Sequence, residues 1–292
     1  MPESPAAQPG RESFGSRLAA AMTARGPLCV GIDPHPGLLA DWGLNDDVAG
    51  LERFSLTVVE AVASLAAAVK PQVALYERHG SAGMAVLERT LQASSDAGVL
   101  SIADAKRGDI GSTMAAYADA WLRDGSALAA DSVTLSPYLG FESLRPALDL
   151  AAEYGRGVFV LALTSNPEGK SVQHVGGAES VARRIVDAAA AENRRYSGAL
   201  GSGGLGSVGL VVGATIGTAL TDLGLDLNAV QGPILAPGLG AQGATPADLR
   251  ATFGDAYPAV LATSSRGILA AGPSIAGLRT ATETTRDGLL AG

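Results

Sequence analysis

The sequence predicts a single (β/α)8 TIM barrel, an α/β fold, and three observations carry that expectation. Eight short apolar runs alternate with stretches of helical spacing along 292 residues. The runs are mostly continuous rather than apolar–polar alternating, as expected for a parallel sheet covered on both faces. Polar residues collect at the C-terminal ends of the runs, where barrels of this class carry their sites. An open doubly wound sheet shares the alternation and is the alternative architecture. A chain of this length suits one barrel without a second domain.

The first apolar run is Leu28 to Asp33, broken by Pro34 and Pro36. Leu51 to Ala68 follows as a helix, with Phe54, Val58, Val62 and Leu65 at helical spacing. Val69 to Leu75 reads as the second strand, although Pro71 weakens it. Ser81 to Ala97 is the next helix, Val99 to Lys106 the third strand, and Ser112 to Leu122 a helix. Ser132 to Ser136 and Gly157 to Thr164 are strands four and five, with a helix from Glu142 to Ala152 between them. Ala178 to Arg195 is a long helix, and the Gly-rich stretch 197–207 reads as a loop. Val208 to Ala214, Pro233 to Pro237 and Ala259 to Thr263 complete the strands. Helices over Thr245 to Thr252 and Pro273 to Leu290 flank the last of them. Residues 1–17 are Pro/Ser/Ala-rich and are expected to be a flexible segment, leaving 18–292 as the barrel domain.

Composition excludes several function classes. The net charge of -8, from 21 basic and 29 acidic residues, gives no electrostatic footprint for nucleic acid. No run is long and apolar enough to span a membrane. The first residues lack the apolar stretch of a secretory signal. One cysteine, Cys29, rules out a disulfide framework, and a reducing cytoplasm is the expected setting. His35, His79 and His174 are scattered without metal-ligand spacing, so no metal is expected. Lysine is scarce: only Lys70, Lys106 and Lys170 occur, against 21 basic residues in all. Two of the three sit at apolar strand ends, where arginine could not give up a proton.

The densest polar cluster is Asp104-Ala105-Lys106-Arg107-Gly108-Asp109. Residues two apart on a strand share a face, so Asp104 and Lys106 are expected to point the same way. Alone, such a cluster would be an ordinary surface ion pair. Other strand ends add Asp33, Lys70, Thr164, Ser165 and Asn166. The loop Pro237-Gly238-Leu239-Gly240-Ala241-Gln242-Gly243 lets backbone N–H groups approach a ligand, and a helix starting near Thr245 would add its positive end. Arg266, after strand eight, offers a bidentate fork. Barrels often hold phosphate in the loops after strands seven and eight. A phosphorylated small substrate facing a Lys/Asp array is therefore expected, with no flavin, nicotinamide, pyridoxal or metal cofactor. Carboxylates beside an amine favour its ammonium form. That makes Lys106 a proton donor rather than a Schiff-base nucleophile.

The pattern Asp104-x-Lys106-x-x-Asp109-Ile110-x-x-Thr113 resembles the signature of the orotidine 5'-phosphate decarboxylases. Val30-Gly31-Ile32-Asp33, Val69-Lys70-Pro71-Gln72, Pro237 to Gln242 and Ser265-Arg266-Gly267 extend the likeness from strand one to strand eight. The chain length, Lys70-Pro71-Gln72 and Ser136-Pro137-Tyr138-Leu139-Gly140 resemble the longer bacterial branch. The resemblance implies a cofactor-independent homodimer with shared active sites that converts orotidine 5'-phosphate to UMP and CO2. It implies that Asp33 and Lys70 hold the ribose hydroxyls, Asp104 sits beside the departing carboxylate, and Lys106 protonates C6. Asp109, Ile110 and Thr113 would reach the neighbouring subunit's site. Pro237 and Ser165 would lie near the substrate, and Gln242 and Arg266 would grip the phosphate. Many relatives carry glycine where Ser265 precedes the phosphate arginine. The other readings are a Schiff-base or sugar-phosphate lyase on the same barrel, or a non-catalytic nucleotide-binding protein.

Overall fold

The computed structural model describes residues 11–196, 204–240 and 243–291. Eight parallel strands close into a barrel in sequence order. They are β1 (Leu28–Ile32), β2 (Ala68–Pro71), β3 (Leu100–Arg107), β4 (Ser132–Leu135), β5 (Gly157–Leu163), β6 (Val208–Val212), β7 (Ile234–Pro237) and β8 (Val260–Ser264). β1 pairs with β2 on one side and with β8 on the other, which completes the ring. The barrel replaces the open-sheet alternative. Most strand residues are buried, matching the continuous apolar runs.

Three differences from the sequence reading have local causes. β2 ends at Pro71, and Ala74–Glu77 is a short helix rather than more strand. Pro71 has no N–H for a ladder, and Val73 already has helical backbone angles. The helix expected from Leu51 begins at Val48, because the Asp47 side chain accepts from Gly50 N and caps it. The helix expected from Ala178 begins at Val181, where Ser180 caps by accepting from Arg183 N.

A helix over Phe14–Arg25, which the sequence reading leaves unassigned, crosses the expected boundary at residue 17. Its Ser13 cap accepts from Ser16 N, and Phe14 and Leu18 are fully buried. They pack inside the barrel with Cys29, Ile102, Phe159, Leu235 and Leu261. Phe14 meets Phe159 edge-on, with ring centroids 5.9 Å apart. Gly157, at the start of β5, leaves room for the Phe14 ring: a Cβ there would lie 2.1 Å from it. This helix closes the N-terminal end of the barrel, so the interior opens at the C-terminal end. Residues 1–10, and residues 197–203 of the expected Gly-rich loop, lie outside the described residues. No helix among the described residues is long and apolar enough to cross a membrane.

Candidate active site

The site is built outward from the end of β3. Asp104 is buried, and Lys106 lies two residues on. Lys106 is not in regular strand geometry as expected. Its φ is +49°, a left-handed conformation rare for a residue with a side chain. The ladder to β4 shifts register there, between Ala103 and Arg107. The Lys106 ammonium nonetheless meets Asp104, with Nζ 2.6 Å from Oδ1. Lys70, from the end of β2, places its Nζ 2.8 Å from Oδ2. Gln72 Nε2 donates to Oδ2 at 3.2 Å, and Thr134 Oγ1, from β4, donates to Oδ1 at 2.9 Å. One carboxylate thus joins three strands.

Burial separates the members of this array. The side chains of Lys70 and Asp104 are 7% and 9% exposed, whereas that of Lys106 is 47% exposed. Burial pushes the Asp104 carboxyl upward, but the Lys70 and Lys106 charges and their hydrogen bonds overcome it and hold it well below the usual carboxylate range. Burial pulls the Lys70 ammonium down, but Asp104 and Asp33 more than offset that, and Lys70 lies above the usual lysine range. The result is an ionised carboxylate clamped between two cations, with one ammonium reaching toward open space. Cys29 lies deeper in the barrel, and burial pushes its thiol up to about 12. It is inert as a nucleophile.

The array forms the floor of a cavity of about 790 Å³ at the C-terminal barrel end. Of the residues singled out from the sequence, Asp33, Lys70, Asp104, Lys106, Pro237 and Arg266 line it. Asp33 Oδ1 is buried without a hydrogen-bond partner. Gly31 explains how strand one and the loop after β8 come together: a Cβ at Gly31 would lie 1.9 Å from Ser265 Oγ. Ser165 is exposed and outside this lining, and Thr164 before it takes the wall position. Asp109, Ile110 and Thr113 do not line the cavity either. Asp109 Oδ1 accepts from Ile110 N at 2.8 Å, and the Ile110 side chain is largely exposed. Gln242 lies outside the described residues.

The helix after β7, Pro246–Phe253, begins as expected near Thr245, but its end is occupied. Thr245 and Asp248 form a reciprocal capping box, which uses the Thr245 and Asp248 N–H groups internally. Among the described residues, Arg266 and Ser265 line this side of the cavity together with Gly238 and Leu239. Among the described residues, no three His, Cys, Asp or Glu side chains come together to hold a metal.

Sequence reasoning missed Thr134, and it met Gln72 only as part of a motif. It also missed Thr263, on β8, whose Oγ1 is buried in the cavity wall without a partner. Each is a polar residue at the inner end of an apolar strand. Ser132, Thr134 and Ser136 share one face of strand four by alternation, so its polar face was visible in the sequence, though not which of the three meets the carboxylate.

Comparison with known proteins gives a consistent result. The model of the "Orotidine 5'-phosphate decarboxylase / HUMPS family" matches residues 26–281. The orotidine 5'-phosphate decarboxylase of Salinispora arenicola is 59% identical over 274 residues, covering 93% of this chain and 95% of its own. That of Streptomyces coelicolor is 58% identical over 275 residues, covering 93% and 95%. A solved structure from Streptomyces avermitilis superposes with a TM-score of 0.91 at 54% identity, covering 99% of this chain and 98% of that one. The structure of Leishmania donovani OMP decarboxylase gives 0.75 at 30% identity, covering 96% and 98%.

Proposed function

The chain belongs to the orotidine 5'-phosphate decarboxylase family, and we infer from that membership and from its cavity that it removes CO2 from orotidine 5'-phosphate. It is a carboxy-lyase of pyrimidine biosynthesis, and its product is UMP. The observation that carries the residue-level reading is the Lys70–Asp104–Lys106 array at the cavity floor.

The reaction breaks the bond between C6 and the carboxylate carbon. Its electron pair stays on C6, where the ring carbonyls delocalise it poorly. An ammonium fixed beside C6 stabilises that developing charge. We propose that Lys106 does this and then delivers its proton to C6, forming the C6–H bond of UMP. The neutral amine left behind recovers a proton from solvent through its exposed side. Asp104, held ionised, lies beside the substrate carboxylate in this reading and keeps Lys106 aimed. Asp33, with its unpartnered oxygen, and Lys70 hold the ribose hydroxyls. Arg266 and Gln242 hold the phosphate beside Pro237, and Ser165, which stands just outside the lining beside Thr164, turns inward on binding to contact the pyrimidine. The phosphate lies far from the reacting bond, so its binding energy can organise the site.

Asp109, Ile110 and Thr113 are proposed to serve the site of a second copy. Two observations support this. None of the three lines its own cavity. Ile110 is 61% exposed, and Tyr138 and Leu139, in the loop after β4, are 81% and 55% exposed. The two loops adjoin, because Gly108 packs against Ser136 O. Together they make an apolar rim suited to a homodimer contact. A cytoplasmic location completes the proposal, since one free buried cysteine suits a reducing compartment.

The test is ultraviolet-monitored loss of orotidine 5'-phosphate by the purified chain with a chelator present. Turnover with UMP as product is expected. Borohydride trapping of substrate on Lys106 would instead support the Schiff-base alternative.

A further inference from the structure

We infer that Thr134 is a positioning residue for Lys106: its one hydroxyl ties the Lys106 backbone to the carboxylate that holds the Lys106 ammonium. The inference rests on the reading of Lys106 as the proton donor.

The Lys106 backbone is left-handed, with φ +49°. A left-handed conformation at a residue with a side chain is unfavourable and persists only where the surroundings impose it. At Lys106 the ladder between β3 and β4 is out of register. Its N–H turns instead to a side chain, donating to Thr134 Oγ1 at 2.9 Å. Accepting that bond leaves the hydroxyl free to donate its single proton elsewhere. It goes to Asp104 Oδ1 at 2.9 Å, the same oxygen that accepts from Lys106 Nζ at 2.6 Å.

A closed loop results. It runs from the Lys106 main chain through the Thr134 hydroxyl to Asp104, and returns through the Lys106 side chain. Thr134 is 1% exposed, so water does not compete for either bond. Its place is fixed by β4, which pairs with β5 through Thr134 and Phe159. The rigid barrel therefore sets the ammonium position through one hydroxyl rather than through the long lysine stem. A displacement of about 1 Å at such a site can cost roughly 10²-fold in rate.

Valine keeps the shape of threonine and removes both hydrogen bonds. The experiment compares wild type, Thr134→Val and Thr134→Ser as purified full-length protein. It reads kcat and KM for decarboxylation, the affinity for UMP and the thermal midpoint. Thr134→Val is expected to lose about 10²-fold in kcat, with KM and UMP affinity within about threefold, because the residues read as holding the ribose and phosphate are unchanged and valine keeps the volume of the cavity wall. Thr134→Ser, which restores the hydroxyl, is expected to recover most of that loss. A Thr134→Val enzyme with kcat within about threefold of wild type would overturn the inference. So would a serine variant as impaired as the valine one, or a loss confined to KM. Should Thr134→Val fail to fold, Thr134→Cys, with its weaker donor and acceptor, takes its place with the same expected split between kcat and KM. Inactivity of the wild type would sink the decarboxylase reading itself. An active wild type with an unaffected valine variant would sink only the role of Thr134.

Discussion

Asp104 accepts from four side chains, Lys70 and Gln72 at one oxygen and Lys106 and Thr134 at the other. A carboxylate offers about four acceptor sites, so this one is saturated. Removing it leaves two cations facing each other, one of them buried. Asp104→Ala is therefore expected to cost about 3–5 kcal/mol in stability, measured by denaturant unfolding. The half-exposed Lys106 has solvent for its ammonium, so Lys106→Ala should cost far less. The pH dependence follows from the directions of the shifts. Asp104 is depressed on folding, so its contribution is present above the ordinary carboxylate range near ~4 and is lost as pH falls through the depressed value. Lys70 is raised, so its contribution is present below the ordinary lysine range near ~10 and is lost as pH rises through the raised value. The stability gap between wild type and Asp104→Asn should accordingly narrow in urea titrations as pH drops below about 4. A gap independent of pH would contradict this. At this scale the charged members were legible as a set and not singly: each alone would be an ordinary surface charge, but all fall at the C-terminal ends of apolar strands. Thr134 and Thr263 escaped because threonine is ordinary in strands, and only register brings them to the site.

At the scale of elements, the two barrel ends have separate tasks. The C-terminal ends of the strands carry charge, and the helix Phe14–Arg25 seals the other end with Phe14 and Leu18. Phe14→Ala would empty a fully buried ring position against Phe159 and Gly157. A loss of about 3–5 kcal/mol in unfolding free energy is expected. The kcat of the folded fraction should stay within a few-fold of wild type, because the cavity lies at the far end. A large drop in kcat with normal stability would contradict this division. The strands were legible because both faces are covered, which makes each one a continuous apolar run. The plug helix carried a signal too: Ser13 as cap, then Phe14, Leu18, Ala21 and Met22 at helical spacing. It was hidden by the Pro/Ser/Ala-rich residues before it. The end of β2 was overextended because Ala74 to Glu77 continues an apolar pattern that Pro71 had already stopped.

For the whole molecule, the alternation of eight βα units fits either a closed barrel or an open doubly wound sheet, and the ring β1 to β8 decides for the barrel. What a single chain's sequence does not determine geometrically is which residues leave their own site. Asp109 follows Gly108 and stands outside its own cavity, which fits a residue lent to a second copy. If so, Lys106→Ala and Asp109→Ala homodimers should each be inactive. Mixing equal amounts after subunit exchange should restore roughly a quarter of the wild-type sites, since each heterodimer has one complete site. No recovery would place Asp109 outside the shared site. Light scattering on the same samples reads the assembly directly.

If Lys106 is the proton donor on a prearranged array, Lys106→Ala removes the chemical step while sparing the fold. Decarboxylation of orotidine 5'-phosphate is measured by ultraviolet absorbance beside UMP affinity in the same preparation. A fall in kcat of at least about 10³-fold is expected, with UMP still bound by a folded protein. A variant that keeps turning over within about tenfold of wild type would contradict it.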